Sequence, residues 1–430
     1  MTTDNYILFT IIIDIVYLAS LLRKRRYQLI LPSTIACFTW IVACILMYAE
    51  IKGWISVNPL SENTYVLVAP FIFGMNLCAI LCFIIAHIYV DGKNLTPSIY
   101  IQNGQTLEMC DNLLRKYRWI LWVCVGVGFA LIVFFFSLGI NFTSFSDYRV
   151  VAVTVKKVGY ASLAQRIGGH IGILGAFYII ILGYKQSQSS IDLKELLKCI
   201  LMYSSVNISI GGRVWLLSSI LPYFTGYLLG KSVESRKSTF GELKKLVPII
   251  VVAICFFSIL GNLRSDANHQ LNFFEKFLYY TDGPKMANRV MNTFPEGSYS
   301  LEYGQANFLN FIQTSPMTMR FNDSIKDNIA LTVTVRSSIP ALYYDFGYIG
   351  GMIMWGILCG ILEIICLKLE KKGTLFSIIT FGTCAVIPFQ APVGSVFALA
   401  TPSFEWILLL WLLRNHIFKS FNSNLIPCKN

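Results

Sequence analysis

Residues 64–90 read TYVLVAPFIFGMNLCAILCFIIAHIYV, without one Asp, Glu, Lys or Arg. About 20 apolar residues, rising about 1.5 Å each as a helix, cross the roughly 30 Å hydrocarbon core of a bilayer. This stretch therefore predicts a membrane-spanning helix. Comparable runs lie at 5–22, 29–50, 118–140, 166–184, 195–210, 214–230, 247–262, 339–367, 374–390 and 403–418. Pro388, Pro392 and Pro402 crowd the last two, where proline marks either a loop or a kinked helix.

The composition agrees. The chain has 430 residues, 55% of them hydrophobic and only 13% charged, with a mean hydropathy of +0.60. A soluble domain carries about 25% charge. The fold class predicted is all-α: a polytopic helical membrane protein with about 11 transmembrane helices and one large external loop. The first run, Tyr6 to Leu22, leads into Arg23, Lys24, Arg25 and Arg26 rather than a small-residue cleavage site, so no cleavable leader is expected.

The net charge of +12 would suggest nucleic acid in a soluble protein. Here Lys and Arg mark cytoplasmic loops instead, and no nucleic-acid partner is expected. With the N-terminus outside, the larger share of the 35 Lys and Arg residues falls in or beside 23–26, 91–118, 185–198, 231–245, 368–373 and the tail. That bias selects N-out, C-in. The 12 cysteines avoid the long outside loop, and no CxxC or His-rich spacing occurs, so neither a disulfide framework nor a metal site is expected.

Three parts follow: helices one to eight over 1–262, a loop over 263–338, and helices nine to eleven with a cytoplasmic tail over 339–430. The loop has 76 residues and faces outside. Phe273, Phe274, Phe277 and Leu278 recur at helical spacing around Glu275 and Lys276, which suits a helix in the membrane interface. Pro284 to Phe294 predicts a second short helix, with Asp282 near its start.

Arg149, Arg213, Arg264, Arg289 and Arg336 lie on the outside against the positive-inside bias. Arginine carries a planar fork of donors that matches phosphate oxygens, and several on one face suit a lipid diphosphate. Each could instead snorkel to headgroups or pair with a nearby Asp. Arg213, in Gly211-Gly212-Arg213 between two short spans, sits closest to membrane depth, where an ionisable residue is a functional candidate. Among the outside carboxylates, Asp345 in Tyr343-Tyr344-Asp345-Phe346-Gly347 is the first candidate for a base; a structural ion pair with Arg336 is the competing reading. His170 lies just inside span five, near the same face. There is no Asp-x-Asp pair, no Walker loop and no His-Glu-x-x-His.

Phe145-Ser146-Asp147-Tyr148-Arg149, Gly211-Gly212-Arg213, and Thr332-Val333-Thr334 followed by Tyr343-Tyr344-Asp345-Phe346-Gly347 and Gly350 resemble the bacterial oligosaccharide repeat-unit polymerases, the Wzy-type O-antigen polymerases. The layout of spans around one large outside loop is similar over nearly the whole chain. The resemblance implies a metal-independent glycosyltransferase of the bacterial inner membrane, without cofactor, whose site faces the periplasm. It would transfer a growing glycan from undecaprenyl diphosphate onto the next lipid-linked repeat unit, alongside membrane lipids and a chain-length regulator. Asp345 and Arg213 would be catalytic. Arg149, Arg264, Arg289, Arg336, Tyr148, Tyr344 and His170 would bind substrate. An O-antigen ligase and a glycan flippase are the alternatives.

The orientation is testable in a cysteine-free background. A cysteine at Ser300 should react with an impermeant maleimide in cells whose inner membrane is intact. Labelling only after that membrane is breached would reverse the assignment.

Overall fold

In hydrocarbon every backbone N–H and C=O must be bonded within the protein, and a helix does so along its own length. The protein, seen in a computed structural model, obeys that constraint: among the described residues there are helices and turns and no strand. Those residues are 2–24, 30–55, 64–91, 103–137, 159–209, 214–235, 247, 248, 251, 255, 279–296, 338–369, 375–392 and 403–412. The helices are α1 (Thr3–Lys24), α2 (Pro32–Ile51), α3 (Val68–Asp91), α4 (Asn103–Lys116), α5 (Trp119–Ser137), α6 (Gly159–Gln188), α7 (Leu193–Ser209), α8 (Val214–Ser235), α9 (Tyr279–Thr293), α10 (Ser338–Leu369), α11 (Leu375–Val386) and α12 (Ser403–Leu412). Five described segments are long and apolar enough to cross a membrane: Thr3–Leu21, Pro32–Ile51, Val68–Asp91, Leu107–Phe134 and Ser338–Leu369. The chain is an all-α, polytopic helical membrane protein.

Helices stand at every predicted span except 247–262, which lies almost wholly outside the described residues. The same holds for the predicted interfacial segment around Phe273–Leu278. The second loop helix is present as α9 and begins earlier than predicted, at Tyr279. α4 falls in a segment read as a cytoplasmic connection.

Two compact units share the chain. One contains Met1–Thr96, Leu271–Lys368 and Cys384–Thr401; the other contains Pro97–Gln270, Leu369–Thr383 and Pro402–Asn430.

In the first unit, α2 starts on Pro32, whose missing N–H is no loss in a first helical turn. It ends on a Lys52-Gly53-Trp54 cap. Gly53 takes φ 69°, its N–H bonds to Glu50 O at 3.0 Å, and that of Trp54 bonds to Ala49 O at 2.9 Å. Lys52 then pairs with Asp4 at the start of α1. The end of α2 and the start of α1 therefore lie at one end, as alternating spans require. α3 meets α10 where Gly356 and Gly360 face Cys78 and Cys82: a Cβ on Gly356 would stand 2.9 Å from Cys78 O, and one on Gly360 would stand 3.0 Å from Cys82 Cβ. Ile349, Ile353, Ile357 and Ile361 form an exposed stripe on another face of α10.

α10 differs from the straight span read in the sequence. At Gly347 the backbone turns to φ 69°, ψ −172°. In a straight helix Leu342 and Gly351 would be separated by about 13 Å of rise. Here a Cβ on Gly351 would come within 2.8 Å of Leu342 O. Residues 338–346 thus fold sharply against the start of the long segment that follows.

In the second unit α6 and α8 approach at backbone distance. A Cβ on Gly226 would strike Ile180 O, one on Gly183 would strike Tyr223 O, and one on Gly230 would strike Ser187 Oγ. Gly226 and Gly230 have the four-residue spacing that lets helices pack closely in lipid. Replacing Gly226 by Ala should destabilise the protein by about 1–3 kcal/mol, because a backbone carbonyl cannot step aside. Gly126, where an added Cβ meets nothing within 4 Å, provides the control. Thermal unfolding in detergent should show a lower midpoint for Gly226→Ala and an unchanged or higher one for Gly126→Ala; equal midpoints would refute the contact.

Candidate functional site

The residues read from the sequence as chemical fall partly within the described structure. Tyr148, Arg149, Arg213, Arg264 and Arg336 lie outside it. Asp345 and Tyr344 are in α10 and Arg289 is in α9, all in the first unit, whereas His170 is in α6 of the second.

Asp345 is 3% exposed and stands two residues before the bend at Gly347. The adjoining tyrosines join this part of α10 to the end of α9. Tyr343 Oη donates to Phe294 O (2.7 Å) or Pro295 O (2.6 Å), and the Tyr344 ring packs edge-on against Phe294 at 5.4 Å. Below them Phe71 of α3 lies edge-on to Tyr343 at 6.0 Å and to Tyr348 at 5.2 Å. The chain neighbours of Asp345, Tyr343 and Tyr344, thus belong to a cluster of aromatic rings. Arg289 is exposed on α9.

What positions α9 was not recognised in the sequence. Asn288 Oδ1 accepts the N–H groups of Leu67 (2.8 Å) and Val68 (3.1 Å), capping α3 from another element. Lys285 Nζ meets Glu50 Oε1 at 2.5 Å, and Tyr65 Oη donates to the other carboxylate oxygen. Burial, first, and then the Glu50 charge hold the Tyr65 phenol well above its ordinary pKa, so it remains a neutral donor. The available signal was Glu50 at the end of an apolar run, a carboxylate that needs a cation, with Lys285 and Asn288 one helical turn apart.

At the other end of the same unit, Glu363 is fully buried. It accepts Ser33 Oγ (2.7 Å) and the Ser33 N–H (3.0 Å), and it meets His87 Nε2 at 2.9 Å. Both Ser33 and His87 address the carboxylate, so this is a helix-start anchor rather than a nucleophile–base pair. His170 accepts from Trp406 Nε1 at Nδ1 (3.1 Å), which joins α6 to α12. Among the described residues no group of three His, Cys, Asp or Glu is placed to hold a metal ion.

Compared with known proteins, the chain matches no family model, no curated protein and no solved structure.

The Glu50–Lys285 pair is the load on which α9 depends. Glu50→Gln should destabilise the protein by about 3 kcal/mol, since it leaves a largely buried ammonium without its counter-charge. Lys285→Met should cost a similar amount, and the double variant less than the two losses added. A double-mutant cycle on detergent unfolding midpoints checks this; strict additivity would show that the pair is uncoupled.

Proposed function

We propose that this chain is a glycosyltransferase of the bacterial inner membrane that polymerises lipid-linked oligosaccharide repeat units at the periplasmic face. The observation that carries the reading is Asp345: a carboxylate buried two residues before a helix bend, in a segment whose Tyr343 and Tyr344 contact Phe294 at the end of a helix of the large loop. A glycosyl transfer from a lipid diphosphate needs a base on the acceptor hydroxyl and positive charge on the leaving group.

In this reading Asp345 takes the proton from the acceptor hydroxyl of the incoming unit. That oxygen attacks the anomeric carbon of the growing chain. The bond to undecaprenyl diphosphate breaks, and the diphosphate leaves with the electron pair. Arg289, in the same unit as Asp345, supplies a fork for its oxygens. Tyr344, in the same unit, would line the sugar path. A chain-length regulator is the expected protein partner.

Deletion in a strain that makes O-antigen tests the reading. A cell lacking a polymerase still flips single units and attaches them to the core, so its lipopolysaccharide should carry one repeat and no ladder on a silver-stained gel. Absence of any repeat, with lipid-linked units held on the cytoplasmic side, would make the protein a flippase. Long chains accumulating on undecaprenyl diphosphate would make it a ligase. Complementation with Asp345→Asn, which keeps size and removes the base, should lower polymerisation by about 10²–10⁴-fold and leave the single-unit band. A full ladder from that variant would remove Asp345 from the chemistry.

A further inference from the structure

The second unit carries a cavity at a helix junction that the reading above does not use. It holds about 210 Å³ and lies where α4 passes into α5, beside the end of α6 and the start of α7. Four cations line it, Arg115, Arg118, Lys185 and Lys198, against two carboxylates, Asp111 and Glu195. Lys185 is engaged with Asp111 at 2.6 Å. No ion pair among the described residues engages Arg115, Arg118 or Lys198. Four cations against two carboxylates leave the lining with a net positive charge.

Its depth follows from a separate observation. Trp119, directly after Arg118, and Trp122, one helical turn after Arg118, are 54% and 59% exposed. Leu193, Leu197 and Leu201 make an exposed apolar stripe on α7 beside Lys198. Exposed tryptophan and lysine or arginine at the start of apolar helices mark the headgroup layer. Leu114, Leu121, Met202 and the Tyr178 ring supply an apolar part of the same lining. A lining at headgroup depth that joins cations to apolar side chains matches a phospholipid, with its phosphate on the cations and its first carbons on the apolar residues. The volume falls short of the roughly 300–1,000 Å³ of sites that enclose a whole small molecule, so the tails stay outside.

We propose that this cavity binds the phosphate of an anionic membrane lipid, with the guanidinium forks of Arg115 and Arg118 and the Lys198 ammonium as its ligands. The Lys/Arg bias of the sequence assigns this end to the cytoplasmic leaflet, where anionic headgroups meet basic pockets between helices.

The test uses the full-length purified protein in a neutral detergent. Phosphatidylglycerol, phosphatidylcholine and inorganic phosphate are titrated separately, with thermal unfolding and native mass spectrometry as readouts. Phosphatidylglycerol should raise the unfolding midpoint and be retained, phosphatidylcholine should not, and added salt should weaken the effect. Arg118→Gln should bind phosphatidylglycerol about tenfold more weakly, the loss of one charge-assisted hydrogen bond. Lys52→Gln, which alters a cation in the other unit, should bind as wild type. If Arg118→Gln does not fold, Lys198→Gln serves, with a loss in the same direction. Equal response to both lipids, unchanged binding by the folded variant, or equal loss in Lys52→Gln would overturn the proposal. Inorganic phosphate acting at the same concentrations as the lipid would also overturn it, in favour of a soluble phosphate ligand.

Discussion

Lipid hydrocarbon gives transmembrane helices no hydrophobic reason to leave it for one another, so their association rests on close packing and polar bonds. This chain meets that constraint twice with the same device. Gly356 and Gly360 let α10 lie against Cys78 and Cys82 of α3. Gly226 and Gly230 let α8 lie against the backbone of α6 around Ile180 and Ser187. The side chains turned elsewhere can then be bulky and apolar. The isoleucine stripe at 349, 353, 357 and 361 is exposed because its favourable surroundings are acyl chains.

Polar bonds fix what packing leaves free. In the first unit they are gathered at the helix ends, with Glu50, Tyr65, Lys285 and Asn288 at one and Ser33, His87 and Glu363 at the other. Dispersion contacts along α2, α3 and α10 allow sliding and rotation at little cost. A carboxylate that must meet a particular ammonium or hydroxyl does not. These clusters therefore specify register more than they add stability, because desolvating the charges offsets most of the gain. Asp14, fully buried in α1 opposite Cys37, lies in the middle of a span, where these end clusters do not reach.

The spans were legible because a bilayer imposes length and composition on a continuous stretch of chain. α1, α2, α3 and α5 begin and end within a few residues of their predicted limits. α4 was not legible: Asn103–Lys116 is polar overall, and its apolar residues Leu113 and Leu114 are buried only because α6 lies beside it. The bend in α10 was half legible. Gly347, Gly350 and Gly351 stand in the sequence, yet glycine is common in membrane helices, and only the contact of Gly351 with Leu342 O distinguishes a fold-back from a tolerated residue. Of the candidate site, Asp345 and Tyr344 were found through their position at a span end. Glu50, Lys285 and Asn288 were missed because their pairing joins positions more than 200 residues apart, which no local pattern encodes.

The bend also says where chemistry can be housed. Residues after Gly347 continue helical to Leu369, about 33 Å at the α-helical rise, enough to cross the bilayer alone. Residues 338–346 are therefore not needed for spanning. They are nonetheless buried, with Ser338 N bonded to Ala391 O at 3.1 Å and Asp345 almost wholly enclosed. The conformation at Gly347 is one that only glycine adopts without strain, of order 1–3 kcal/mol for other residues. A break in a helix frees backbone carbonyls and N–H groups, which lipid cannot satisfy, so it persists only inside protein or against a polar cavity. A straight α10 would have carried Asp345 out of the unit along the helix axis. The fold-back instead keeps it inside the unit, out of contact with bulk water.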